Sequence, residues 1–153
     1  MKEIRILTKA KDMYQTYDVM IALNDKMTEI QYQDFINHWV PRGYRQFVAY
    51  TDKPIAVIAL IDTPLLGVVP NKAFKIANVA TIPEYRGSGI SRELMTNILS
   101  HMKSEGYTIA DLNCNKANLR GNAFYEKCGF NKDESFNWRM KIAGESKEIR
   151  AKL

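Results

Sequence analysis

The chain has 153 residues and a formal net charge of +5, from 22 Lys and Arg against 17 Asp and Glu; 46% of it is hydrophobic and 25% charged. That balance fits one globular domain and excludes a disordered or low-complexity chain. No apolar run nears the roughly 18 residues that span a bilayer, and Met1-Lys2-Glu3-Ile4-Arg5 lacks a signal-peptide core, so a cytoplasmic protein with no membrane partner is expected.

Residues 10–24 place Met13, Tyr17, Met20 and Ile21 on one helical face. A second helix starts at a capping box, Thr28 with Gln31, and carries the stripe Tyr32, Phe35, Ile36 and Trp39, read as core packing, until Pro41 and Gly43 stop it. Gln46–Tyr50 and Pro54–Ile61 flank the turn Thr51-Asp52-Lys53 and predict a β-hairpin. The exit loop over 62–72 is apolar enough to pack on a neighbour or to wall a pocket. A third strand, Phe74–Ile82, leads into Pro83-Glu84-Tyr85-Arg86-Gly87-Ser88-Gly89. From there Ile90, Leu94, Met95, Ile98, Leu99 and Met102 describe a long amphipathic helix that ends at Gly106.

Tyr107–Cys114 then reads as a strand, and Asn118–Lys127 as a short helix with Leu119, Ala123 and Phe124 inward. Ser135–Ile142 alternates Phe136, Trp138, Met140 and Ile142 with Asn137, Arg139 and Lys141, the period of a half-buried strand. Residues 1–143 are expected to form a single domain and 144–153 a charged tail. A strand–helix–strand–helix–strand second half after a hairpin implies an α/β fold with a mixed sheet.

Cys114 and Cys128 are too few for a disulfide framework and read as reduced, buried thiols. His38 and His101 stand far apart without ligand-spaced neighbours, so no metal is expected. The basic residues are scattered, which argues against nucleic acid as a partner and suits a polyanionic small molecule.

The candidate chemistry lies at Arg86-Gly87-Ser88-Gly89-Ile90-Ser91. A helix start leaves backbone N–H groups unpaired and slightly positive, and glycines admit an anion close to them. A Walker loop is absent, and Arg92 stands where a dinucleotide fingerprint needs glycine. Two glycines alone fit a simple tight turn equally well.

In these residues the sequence resembles the GCN5-related N-acetyltransferase (GNAT) family. Its pyrophosphate loop, Arg/Gln-x-x-Gly-x-Gly/Ala, is matched by Arg86 to Ser91 except at the last position. Its second pattern, Asn-x-x-Ala-x-x-Leu/Phe-Tyr-x-Lys-x-Gly-Phe, is matched by Asn118 to Phe130 with Gly121 in place of alanine. The resemblance implies a mostly antiparallel central sheet with flanking helices and a parallel strand pair around the cofactor turn. It implies acetyl-CoA as cosubstrate: Val79, Ala80, Thr81 and Ile82 beside its pantetheine arm, the amides of Arg86, Gly87, Ser88, Gly89, Ile90 and Ser91 on its pyrophosphate, and Asn118 on the arm. The Ser91 hydroxyl would donate to phosphate.

For Asn118, a helix N-cap is the alternative to a cofactor contact. Tyr125 would be the catalytic acid that protonates the departing thiolate, against plain packing beside Phe124. Relatives often carry glutamate at the positions of Ala77 and Asn113, so the base is unassigned among Glu84, Asp111 and Asp62. The implied reaction is acetyl transfer to a primary amine of a small molecule or peptide. The alternative is a CoA-binding sensor or interaction module of the same fold. The acceptor pocket is expected from the first two helices, the 62–72 loop and the last strand, and a homodimer is allowed for.

Overall fold

The computed structural model describes residues 2–143, and the expected tail over 144–153 lies outside them. Five strands form one sheet in sequential order: β1 (Glu3–Leu7), β2 (Arg45–Tyr50), β3 (Pro54–Thr63), β4 (Lys72–Thr81) and β5 (Tyr107–Asp111). The first three pairings are antiparallel and β4–β5 is parallel, as the mixed-sheet reading requires. The hairpin between β2 and β3 closes where the Thr51 N–H donates to the Lys53 carbonyl at 3.1 Å. β1 has no counterpart in the sequence reading, because five residues with one buried side chain, Leu7, carry almost no periodic signal.

β2 and the first half of β3 are buried on consecutive positions, so both sheet faces are covered. The helices are α1 (Ala10–Met13), α2 (Tyr17–Met20), α3 (Glu29–Trp39), α4 (Ile90–Ser104) and α5 (Leu119–Lys127), with a 3-10 turn over Tyr14–Thr16 between the first two. The single helix expected over 10–24 is therefore broken by a tighter turn. α4 packs on β2, β3 and β5, and α2 on β3 and β4. Leu94, Met95, Ile98 and Met102 are fully buried on the inner face of α4, each side chain stabilising by about 1.5–3 kcal/mol. α3 begins as expected, with the Gln31 N–H donating to Thr28 Oγ1 at 3.1 Å and the Thr28 N–H to Gln31 Oε1 at 2.9 Å.

Several local expectations need correction. Of the α3 stripe, Tyr32 and Ile36 are buried, whereas Phe35 and Trp39 are each 37% exposed, since the helix lies at the edge of the layer. Leu119 is 79% exposed; the inner face of α5 is Gly121 and Tyr125, one turn apart. Cys114 and Cys128 are free but only half-buried. No strand forms over Ser135–Ile142, and its alternating apolar side chains are exposed. The 62–72 loop joins β3 to the start of β4. Ten residues of β4, at about 3.3 Å each, put it about 30 Å from Thr81, too far to wall a site at that end.

Two irregularities in β4 position the site. Ladder contacts with β5 run from Lys72↔Tyr107 to Lys75↔Asp111 and stop there, while β4 continues to Thr81. The strands therefore splay, and the far half of β4 has a free edge. Against β3, Ala59 opposes Asn78 and Leu60 opposes Ile76, so Ala77 is an extra residue in a β-bulge. A buried chain of polar contacts anchors that bulge to the helices. Gln46 Nε2 donates to Tyr32 Oη at 2.8 Å, and Tyr44 Oη donates to Asn78 Oδ1 at 2.9 Å. Among the described residues no helix is long and apolar enough to cross a membrane.

Candidate active site

At the Thr81 end of β4 the chain turns through a 3-10 segment, Pro83–Tyr85, and enters α4 at Gly89. The turn uses some of its amides internally. The Arg86 N–H donates to the Pro83 carbonyl at 3.2 Å and the Ser88 N–H to the Tyr85 carbonyl at 3.2 Å. The amides of Gly87, Gly89, Ile90, Ser91 and Arg92 have no acceptor among the described residues. Gly87 and Gly89 sit at φ +78 and +87, in the left-handed region, and a Cβ built on either meets nothing within 4 Å. The amides therefore face an open cradle into which glycine admits a ligand.

That cradle is the floor of a cleft of about 400 Å³ lined by Val79, Ala80 and Thr81, by the turn and first residues of α4, and by Arg120, Gly121, Ala123, Phe124 and Lys127 of α5. Tyr85 and Ala22 complete the wall. Four cationic side chains, Arg86, Arg92, Arg120 and Lys127, border it. Arg92 and Arg120 escape a reading by motif, since they are ordinary exposed helix residues until the fold gathers them, and Lys127, the lysine of the second pattern, carried no ligand role in the sequence reading. Such a combination of unpaired amides, a helix N-terminus and converging cations fits a ligand with several phosphates.

Thr81 and Ser91 are joined hydroxyl to hydroxyl at 2.7 Å. Ser91 therefore ties the start of α4 to the end of β4 rather than standing free for phosphate, and of the pair only one hydroxyl hydrogen remains to donate. Ile82 also differs from expectation. Its N–H donates to the Ile55 carbonyl at 3.0 Å and its carbonyl accepts from the Tyr85 N–H at 3.0 Å, so neither group is left for a ligand. The Arg86 and Ser88 amides are likewise occupied. Val79, Ala80 and Thr81 line the cleft, with half of their backbone polar groups directed away from β3 into the splay.

Asn118 caps α5, its Oδ1 accepting from the Gly121 N–H at 2.9 Å. That occupies the carbonyl end of the carboxamide. Tyr125 is 9% exposed and lies one helical turn beyond Gly121, packed edge-on against Phe124 and Phe130 with ring centroids 5.3 and 6.1 Å away. Among the described residues its surroundings are aromatic rings and thiols rather than polar partners. Burial pushes its pKa above the ordinary phenol range, and the neighbouring thiols Cys114 and Cys128 push the same way, so the group keeps its proton.

The three carboxylates separate. Asp62 sits at the opposite end of the sheet, where Oδ2 accepts from Tyr107 Oη at 2.6 Å and Oδ1 from Arg45 at 3.3 Å. It is a structural ligand of that corner. Glu84 is exposed in the turn before Arg86, and Asp111 is exposed where the β4–β5 ladder ends. Ala77 of the bulge is exposed and uncharged, and Asn113 lies beside Lys75, which can donate to it at 3.1 Å in the flipped amide orientation.

Comparison with known proteins gives a consistent result. Residues 9–130 match the model of the acetyltransferase (GNAT) family. No curated protein sequence matches. Among solved structures, an acetyltransferase of Trypanosoma brucei superposes with a TM-score of 0.73 at 20% identity, covering 93% of this chain and 100% of that one. Glucosamine-6-phosphate N-acetyltransferase from Arabidopsis thaliana gives 0.69 at 18% identity, covering 94% and 99%. Ribosomal-protein-alanine N-acetyltransferase from Brucella melitensis gives 0.76 at 15% identity, covering 94% and 100%. At these identities the likeness is one of fold.

Proposed function

We propose that this chain, which belongs to the GNAT acetyltransferase family, moves an acetyl group from acetyl-CoA to a primary amine of a small molecule or peptide. The observation that carries the reading is the open cradle at Gly87 and Gly89, floored by unpaired amides and bordered by Arg86, Arg92, Arg120 and Lys127. Acetyl-CoA supplies a thioester carbonyl that an amine can attack, and two linked phosphates that suit this cradle.

The chain's own residues then divide the work. Amides of Gly87, Gly89, Ile90, Ser91 and Arg92 hold the pyrophosphate, and the guanidiniums add charge-assisted contacts. Backbone groups of Val79 to Thr81, left unpaired by the splay from β5, orient the pantetheine arm as an added strand would. Asn118 offers its amide nitrogen to that arm while its oxygen caps α5. Tyr125 holds a proton at Oη and gives it, or a hydrogen bond, to the sulfur as the C–S bond breaks. The amine reaches the carbonyl through the mouth of the splay, near Asn78 and Asn113. Its proton leaves by water held on backbone carbonyls and nearby weak acceptors, Glu84 and Asp111 among them.

A screen of amines read by free-thiol release tests the reaction. Thiol release with one amine class supports the proposal. Acetyl-CoA binding with no release from any amine would instead favour a sensor of the same fold, and no binding at all would remove the cosubstrate.

A further inference from the structure

The side chains of Thr16, Tyr32, Gln46 and Tyr44 are buried in the core, where such groups are costly unless each finds a partner. Here each does, and the hydrogen bonds run in one direction. Thr16 Oγ1 donates to Gln46 Oε1 at 3.0 Å, and the Gln46 amide donates through both of its hydrogens, to Tyr32 Oη at 2.8 Å and to Tyr44 Oη at 3.4 Å. Tyr44 accepts there and gives its own hydrogen to Asn78 Oδ1 at 2.9 Å. Burial raises the pKa of the Tyr44 phenol, so that hydrogen stays in place.

The chain of bonds therefore sets which way the Asn78 carboxamide faces. Oδ1 is turned to the core, and Nδ2, at the other end of a half-buried side chain, has no acceptor among the described residues. Asn78 stands between the bulge at Ala77, whose exposed methyl leaves room in front of it, and Val79, which lines the cofactor cleft. Lys75 shares its face of the sheet: Asn78 opposes Ala59 and Lys75 opposes Ile61, alternate positions of β3.

On the acetyl-transfer reading above, we propose that Asn78 determines acceptor specificity by donating from Nδ2 to an oxygen of the amine substrate, and that Tyr44 is the positioning residue that aims it. The substrates are then primary amines with a hydroxyl or carbonyl oxygen near the nitrogen, and not alkyl polyamines. An amide nitrogen only donates, so its partner must be an acceptor. A second ammonium offers donors alone and meets the like charge of Lys75 on the same face. Asn78 adjoins a residue of the cofactor cleft, and adjacent Cα atoms are about 3.8 Å apart, so the oxygen lies within about two to four bonds of the reacting nitrogen.

The test is thiol release from acetyl-CoA with ethanolamine, glycinamide, propylamine and ethylenediamine, compared as kcat/KM per unprotonated amine. Ethanolamine or glycinamide should exceed propylamine about tenfold, and ethylenediamine should not exceed it. Asn78→Asp keeps an oxygen for Tyr44 and puts a charged acceptor where Nδ2 was. Its preference should fall to parity or turn towards ethylenediamine, with acetyl-CoA affinity unchanged in calorimetry. Tyr44→Phe frees the carboxamide and should lose part of the preference, through a higher KM for the oxygen-bearing amines alone. If either variant does not fold, the wild-type ratios and Asn78→Ala, which should bring ethanolamine and glycinamide down to propylamine, decide. Equal rates with ethanolamine, glycinamide and propylamine in the wild type, or an unchanged preference in Asn78→Asp, would overturn this inference and leave acetyl transfer standing. Release with none of the amines would overturn acetyl transfer to amines and this inference with it.

Discussion

Replacing Gly89 by valine separates the two things this position does. At φ +87 an L-residue strains the backbone by about 1–3 kcal/mol, with a β-branched one at the upper end. A Cβ there meets nothing within 4 Å, so backbone strain is the main cost to the fold. In a chain of this size that lowers the melting midpoint by roughly 2–12 °C. The same atoms fill the cradle and hold a phosphate away from the free amides. Losing one charge-assisted contact of about 1.5–3 kcal/mol weakens acetyl-CoA binding roughly 10- to 100-fold.

Gly43→Val is the matched control. Gly43 has φ +96, and a Cβ there meets Asp62 only at an ordinary 3.9 Å, at the opposite end of the sheet from the cleft. Both variants should lose similar stability in thermal unfolding, and only Gly89→Val should lose affinity in calorimetry. A folded Gly89→Val protein with wild-type affinity, or a Gly43→Val protein weakened as much, would refute the assignment of the cradle.

Tyr125→Phe should lower turnover about a hundredfold or less with little change in acetyl-CoA affinity, because a phenol contributes only as the sulfur leaves and that thiolate is already a fair leaving group. Its melting midpoint should stay near wild type, since the ring and its packing on Phe124 and Phe130 are kept; wild-type turnover would remove the residue from the mechanism. Asp62→Asn should leave turnover unchanged and cost about 1 kcal/mol or less of stability, as a partly exposed ion pair does. Glu84→Gln and Asp111→Asn should each slow turnover by no more than roughly tenfold, with a pH profile following the acceptor amine; a thousandfold loss in either would identify a dedicated base. Burial raises the pKa values of Tyr32, Tyr44, Tyr50, Tyr107 and Tyr125. The stabilisation from keeping them neutral is complete below about pH 10, where unfolded tyrosine begins to ionise, and is lost as pH rises further. Unfolding midpoints should therefore fall on the alkaline side of pH 10, and flat midpoints there would contradict the burial of these phenols.

The sequence alone carried the local decisions. The Thr28–Gln31 box started α3, the spacing of Leu94, Ile98 and Met102 built α4, and two glycines before Ile90 marked the turn with its unpaired amides, because hydrogen-bonding at helix ends and the helical period act over a few residues. Pairing and gathering belonged to the tertiary structure. Which carboxylate lies near the cleft depends on strand direction: β3 places Asp62 opposite Phe74 of β4, about 23 Å along that strand from Thr81, while the β4–β5 ladder ends at Asp111. Arg92, Arg120 and Lys127 converge only when α4 and α5 flank β4, and Ser91 meets Thr81 across ten residues. Phe136 to Ile142 show the limit most plainly. Alternation states that one face is apolar, but whether that face is covered is decided by tertiary packing, and here the four side chains stay exposed.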